Sequence, residues 1–373
     1  MDLTLTPSQA ELQARARAVA EAELAPRAAE HDQAARFPTA QIKALAAADL
    51  LAMLVPKAFG GGEYGAVGYS LAMTEVARAC ASTAVTMAVT NMVGDAIVAW
   101  GDDAQKRAHC PKLATAAYMA GAFCLSEPEA GSDPASLKTV ARRDGDDYVL
   151  SGSKCWITSG DQAGVLLVMA KTDVEAGTKG ISAFLVEPHM AGFSVGRHEE
   201  KMGLRASSTV TINLDEVRLP AAARIGPEGV GFKIAMRALD GGRIGIGSQA
   251  LGIGLRAVEA ATTFLRGQAS VTSEAKAKLA HAATELEAAR LLVLRAATMK
   301  DAGVPFGKEA SMAKLYATEA ANRACQRAVE ILGPEGWTDR WPVERCFRDV
   351  RVTTIYEGTS EVQRIVIARQ VLA

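Results

Sequence analysis

Near its C-terminus the chain reads Val352-Thr353-Thr354-Ile355-Tyr356-Glu357-Gly358-Thr359-Ser360-Glu361-Val362, and Glu357 is the side chain in that run best placed to do chemistry. A β-branched run that resists helix precedes it, Gly358 frees the backbone, and Thr359 or Ser360 can cap a new helix. Tyr356 and Ile355 would desolvate the carboxylate and lift its pKa toward the range of a general base. A solvated turn glutamate has the same local pattern, so the choice rests on what the rest of the chain supplies.

Two other stretches carry candidate chemistry. In Phe123-Cys124-Leu125-Ser126-Glu127-Pro128-Glu129-Ala130-Gly131-Ser132-Asp133, backbone amides and the Ser126 and Ser132 hydroxyls could line a groove for a planar polar ring or a phosphate. An ordinary surface loop reads the same way. In Lys154-Cys155-Trp156-Ile157-Thr158-Ser159-Gly160, the Trp156 indole and the Thr158 hydroxyl would project from one side of a strand, unless Trp156 is simply core. Gly245-Ile246-Gly247-Ser248-Gln249-Ala250 matches a dinucleotide-binding pattern, but it sits inside helical periodicity, where close helix packing explains the small residues better.

The elements that must position these groups follow from periodicity. Roughly the first 120 residues read as helices: Thr6-Pro7-Ser8-Gln9 is a capping box leading to Leu12, Ala16 and Val19, a second helix follows Pro38 with Thr39 as cap, and others cover 69–79, 81–100 and 102–113. Between 122 and 225, short β-type runs at 148–150, 164–170, 180–186 and 209–214 suit an antiparallel barrel or sandwich. Long helical segments return at 232–266, 273–302, 308–332 and 360–372, a bundle able to pack against copies of itself.

Composition narrows the function. Within 373 residues, 41 Lys and Arg balance 42 Asp and Glu for a formal charge of −1, so no global field favours nucleic acid or an anionic membrane. The cysteines (Cys80, Cys110, Cys124, Cys155, Cys325, Cys346) form no C-x-x-C pair, and the five histidines are dispersed, which argues against disulfides and metal sites. The first residues, Met1 to Thr6, show no secretory pattern, which suggests a reducing, cytoplasmic location. The uncharged run 79–94 is shorter than a bilayer span and reads as a buried helix.

Together with Lys201-Met202-Gly203-Leu204-Arg205-Ala206-Ser207-Ser208-Thr209, Leu239-Asp240-Gly241-Gly242-Arg243 and Arg345-Cys346-Phe347-Arg348-Asp349, these stretches resemble the acyl-CoA dehydrogenase family in order and spacing. The likeness covers almost the whole chain and is closest to the short-chain, butyryl-CoA type. It implies a multi-domain α+β fold: an N-terminal helical domain (1–120), a middle antiparallel β-barrel (121–227) and a C-terminal four-helix bundle (228–373), assembled as a homodimer or homotetramer. It implies FAD held by Phe123, Cys124, Leu125, Ser126, Trp156, Ile157, Thr158, Thr359, Ser360 and Glu361. It implies an acyl-CoA substrate touched by Ser132, Asp240, Arg243 and Gly358, with Glu357 as base and an electron-transferring flavoprotein as electron acceptor. Some relatives carry the base at the position of Gly242, where glycine cannot serve.

The chain departs from the family pattern in one region. The usual Arg-x-x-Phe-Gly stretch is missing between Phe264 and Ser273, and Glu330-Ile331-Leu332-Gly333-Pro334-Glu335-Gly336-Trp337 replaces a Gln followed by Gly-Gly-x-Gly. In relatives both segments reach the partner subunit's FAD. Carboxylates at Glu330 or Glu335 would repel a pyrophosphate, so the adenylate half is expected to be anchored differently. Two other functions remain open on the residues: a flavin-poor acyl-CoA-binding protein, and an oxidase or flavin-assisted elimination enzyme.

Overall fold

The computed structural model describes residues 4–373; Met1 to Leu3, part of the stretch read as lacking a secretory pattern, lie outside it. Among the described residues six α-helices come first: α1 (Pro7–Val19), α2 (Ala28–Gln33), α3 (Thr39–Ala47), α4 (Gly65–Ala79), α5 (Ala81–Trp100) and α6 (Asp103–Ala114). Thr6 closes α1 through the expected reciprocal bonds with Gln9, and Leu12 and Ala16 are buried. Thr39 is not a cap. It is already the first helical residue of α3, behind Pro38, and no side chain closes that end, so α3 is held by burial of Ile42 and Leu45.

Helix α5 is long and apolar enough to cross a membrane, yet it is packed inside the protein. Several of its polar side chains find partners there, as buried groups usually do. Asn91 accepts from the Met53 N–H at 2.8 Å, and Thr90 accepts from the Gly121 N–H at 3.3 Å.

Eight strands follow: β1 (Ala120–Cys124), β2 (Val140–Asp144), β3 (Asp147–Thr158), β4 (Ala163–Lys171), β5 (Ile181–Val186), β6 (Phe193–His198), β7 (Thr209–Pro220) and β8 (Arg224–Ile225). They do not form the expected purely antiparallel barrel. One half, in the order β6-β7-β3-β2, is antiparallel, but β1 runs parallel to β4, and the two halves join only at Val140–Lys171. The hydrogen-bonded path ends at β6 and β8 without closing. The parallel pairing arises because the chain leaves β1 through the long 125–139 segment before β2 and β3 form their hairpin.

Leu166, Val168 and Phe184 from one half pack against Tyr148, Leu150 and Ile212 from the other. The alternate residues Val165, Leu167 and Met169 of β4 face Val93 and Ile97 of α5, as a two-residue strand period requires.

The C-terminal half holds α7 (Gly231–Arg266), α8 (Ser273–Asp301), α9 (Gly307–Leu332), α10 (Val343–Val350) and α11 (Ser360–Leu372). Helices α7, α8, α9 and α11 form the bundle, with α9 touching the other three. Gly245 and Gly247 lie within α7. A Cβ at Gly245 would stand 2.5 Å from the Tyr69 hydroxyl, and one at Gly247 would stand 3.0 Å from Val293 Cγ2, so the small residues serve helix packing. Helix α10 was not legible as a helix in the sequence; it is short and charged, and only Val343, Cys346, Asp349 and Val350 turn inward.

Candidate active site

The residues before Glu357 are not extended. Arg351–Thr354 continue α10 as a tight turn, in which the Thr353 hydroxyl donates to the Val350 carbonyl at 2.6 Å and overrides the β-branched preference. Ile355 is half-exposed and does not desolvate the site, whereas Tyr356 does: its hydroxyl hydrogen-bonds the Gln249 side-chain oxygen, and Gln249 donates to the Ala81 carbonyl at 2.9 Å. Glu357 then takes a left-handed backbone conformation (φ 55°), followed by Gly358 (φ 90°). For a non-glycine residue this costs roughly 1–3 kcal/mol and has to be held by its surroundings.

Three contacts hold it. The Gln363 amide donates to the carbonyls of Glu357 at 3.2 Å and Gly358 at 2.9 Å, and the Lys314 ammonium donates to the Gly358 carbonyl at 2.8 Å. Thr359 caps α11 by accepting from the Val362 N–H at 3.3 Å.

The carboxylate is packed against α7. Its Oε2 is buried with no hydrogen-bond partner among the described residues, and a Cβ added at Gly242 would lie 2.2 Å from it. Burial pushes the Glu357 pKa up to about 7, against the opposing pull of the Arg243 and Lys314 cations. Arg243 is tied by the Asp240 carboxylate at 2.6 Å and the Ser311 hydroxyl at 3.2 Å, while its Nε remains buried and unpartnered. Thus Glu357, Gly358, Asp240 and Arg243 converge, and Gly242, Lys314, Ser311 and Gln363 join them.

The second group of expected residues gathers around β1 and β3. Cys124 and Leu125 are buried at the end of β1, with Phe123 partly so, and the Ser126 carbonyl accepts from the Cys155 N–H at 3.0 Å. Trp156 is not core: on either side of buried Ile157, Trp156 is exposed and Thr158 partly so. A bulge between Lys154 and Ile157 places Trp156 at φ 59°, and its side chain is 63% exposed beside buried Ile157. A bulge re-aims a side chain in this way. Ser132 is exposed in the loop that follows.

Beneath that loop lies an ion pair that sequence reasoning missed. Lys154 and Glu127 are both buried, 2.7 Å apart, and Glu127 also accepts from the N–H groups of Lys138 at 2.6 Å and Thr139 at 3.0 Å. The two groups of residues are linked through α5, where Ala81 accepts from Gln249 and the Thr86 hydroxyl lies 3.3 Å from that of Ser159. A cavity of about 810 Å³ opens beside this second group, lined by Asp161, Lys201, Arg205 and Ser208, and does not include Glu357.

Three family models match the chain in succession: the acyl-CoA dehydrogenase N-terminal domain over 6–117, the middle domain over 122–217 and the C-terminal domain over 229–372. The chain belongs to the acyl-CoA dehydrogenase family. It is 45% identical over 360 residues to the short-chain specific acyl-CoA dehydrogenase, mitochondrial, of Bos taurus, covering 95% of this chain and 87% of that protein. It is 41% identical over 380 residues to acryloyl-CoA reductase (NADH) of Anaerotignum propionicum, covering 100% and 96%. Its structure is similar to butyryl-CoA dehydrogenase from Megasphaera elsdenii, with a TM-score of 0.97, 36% identity and 100% coverage of both chains.

FAD is the cofactor of this acyl-CoA dehydrogenase family member, and the residues fit it. An indole turned outward by a left-handed bulge offers a stacking face. At the start of α11, Ser360 Oγ and Gln363 Oε1 are buried polar atoms without partners among the described residues, next to Thr359 and the exposed Glu361. At the sites of departure, Glu330 pairs with Lys278 at 2.9 Å and Glu335 with Arg340 at 3.0 Å. Neither carboxylate is left uncompensated. Where the family's arm is shortened, a cavity of about 480 Å³ lies between Phe264, Gln268, Glu335 and Trp341.

Proposed function

We propose that this enzyme oxidises a short-chain acyl-CoA thioester to its α,β-unsaturated form, with Glu357 as the base. One observation carries the assignment: a buried carboxylate oxygen without a hydrogen-bond partner, on a carboxyl whose pKa is raised to about 7, held in a strained turn. An α-proton beside a thioester is weakly acidic, so it demands a desolvated base at that carbon and hydrogen-bond donors for the developing enolate oxygen. The Glu357 N–H donates to no acceptor among the described residues, and serves as one such donor. FAD, when bound, supplies the hydride acceptor that no side chain can be.

The other roles follow the same reading. Phe123 to Ser126, Trp156 to Thr158 and Thr359 to Glu361 hold the cofactor, while Asp240, Arg243, Ser132 and Gly358 receive the thioester and CoA. Tyr69, Tyr356 and Gln249 fill the space behind the base, which favours a short acyl chain. Electrons pass on to an electron-transferring flavoprotein. Exposed Ile365, Val371 and Leu372 on α11 support a homo-oligomer, and the six free, buried cysteines support a cytoplasmic location.

The decisive experiment is anaerobic titration of the yellow protein with butyryl-CoA, followed by reoxidation with an artificial acceptor. Bleaching is expected in the wild type, and Glu357→Gln should keep colour and ligand binding without bleaching. Turnover retained by that variant removes Glu357 from the role. Colourless protein that binds acyl-CoA, or peroxide release under oxygen, would instead select the binding-protein or oxidase reading.

A further inference from the structure

Lys314 on α9 is fully buried, yet among the described residues its ammonium has a single hydrogen-bond acceptor, the Gly358 carbonyl at 2.8 Å, and no carboxylate within ion-pair distance. A buried ammonium with donors unanswered is costly to retain, and a fold that keeps one invites a functional explanation. Arg243, the other cation facing Glu357, differs because the Asp240 carboxylate already shares its charge at 2.6 Å.

We propose that Lys314 is a positioning residue for the base: it clamps the carbonyl that follows Glu357 and presents the one cation of the site that no other carboxylate has claimed. The inference rests on the dehydrogenase reading above. Its first part is geometric. Two successive carbonyls of the turn are held from outside by Lys314 and Gln363, which fixes the backbone torsions that aim the Glu357 side chain. Losing the ammonium leaves the Gly358 carbonyl to Gln363 alone, and with it the support of a turn in which Glu357, a non-glycine residue, stands at φ 55°.

The second part is electrostatic. The charged groups facing Glu357 are Arg243 from α7 and Lys314 from α9, and the Tyr69 and Tyr356 hydroxyls, both pushed up by burial, stay neutral beside it. Lys314 in turn feels Glu357, Arg243, Glu361 of α11 and Glu319 of its own helix, with burial driving its pKa down to about 8. Near neutral pH it carries a charge that favours the ionised base. Without it the carboxylate holds its proton to higher pH.

The test uses the full-length, FAD-loaded enzyme with butyryl-CoA and an artificial acceptor. In Lys314→Met, kcat should fall about 10- to 100-fold with KM within about threefold, because aim rather than binding is lost. The acidic limb of kcat/KM should move up by about one pH unit in both Lys314→Met and Lys314→Gln. Should neither variant fold, as judged by flavin spectrum and thermal melt, Lys314→Arg decides: the retained charge should hold the pH limb in place while displaced geometry lowers kcat. An unmoved limb in the neutral variants, or kcat within twofold of wild type in Lys314→Met or Lys314→Arg, overturns the proposal. Failure of the wild type itself to oxidise any acyl-CoA sinks the dehydrogenase reading instead, so the two failures are distinguishable.

Discussion

Gly242 and Glu357 occupy one space: a Cβ at Gly242 would stand 2.2 Å from Glu357 Oε2 and 2.8 Å from its Cδ. The Glu357 carboxylate lies directly on the α7 backbone, and only the absence of a side chain there allows it. A residue at 242 and the glutamate at 357 compete for the same volume, so one of them must be small.

The first prediction follows from which partner can move. The carboxylate is the free end of a side chain, so Gly242→Ala should displace it rather than unfold α7. Thermal stability should change little, while kcat should fall about 100-fold, as expected for a misplacement of about 1 Å at the reacting centre. Steady-state kinetics beside a melting curve check it; a marginal loss of kcat would mean the carboxylate has a second productive position.

A second prediction concerns pH. With its carboxyl raised to about 7 by burial, Glu357 in the proposed role of base acts only above that value, so kcat/KM should rise with pH through about 7 and level off. Stability runs the other way. The folded state keeps this proton to about pH 7, whereas the unfolded chain releases it near pH 4.3, so folding loses stability across that window as pH rises. Glu357→Gln should therefore melt a few degrees higher than wild type at pH 8 and at the same temperature at pH 4.

What could be read in the sequence was what is local. The Thr6 capping box, the long α7 to α9 periodicities and the Glu357-Gly358-Thr359 turn are each specified by neighbours within one or two helical turns. Lys314 reaches Gly358 across 44 positions, and Asp301 of α8 accepts from the N–H groups of Ala66 at 2.5 Å and Val67 at 2.9 Å, capping α4 from another part of the chain. Such contacts leave no periodic signature. The left-handed backbone at Trp156 is equally non-local, because the bulge after Lys154 exists only in the pairing with β7.

A third prediction tests the Lys154–Glu127 pair beneath the Ser126 loop. Removing either partner alone leaves a buried, uncompensated charge, so Lys154→Met or Glu127→Leu should each cost about 3–5 kcal/mol. The double variant should be less damaging than the sum of the two, because it removes both charges together. Since Lys154 also donates to the Leu125 carbonyl at 3.2 Å, the single variants should loosen FAD as well, read as faster loss of flavin on dilution. Strict additivity would show that the two side chains act independently.

The last prediction concerns how the β-block is fastened to the bundle. Asp349 of α10 is buried and accepts from the Leu204 N–H at 2.6 Å, and beside it Arg348 bridges Glu344 at 2.8 Å and Asp32 of α2 at 2.7 Å. Three parts of the chain meet at these two residues. Burial pushes the Asp349 carboxyl up to about 7, so its hydrogen bond matters more than its charge. Asp349→Asn keeps an oxygen for the Leu204 N–H and should lose little at neutral pH. Asp349→Ala orphans that N–H in a dry site and should cost about 1–3 kcal/mol in denaturant unfolding. Equal losses in the two variants would shift the weight from the hydrogen bond to the carboxylate charge.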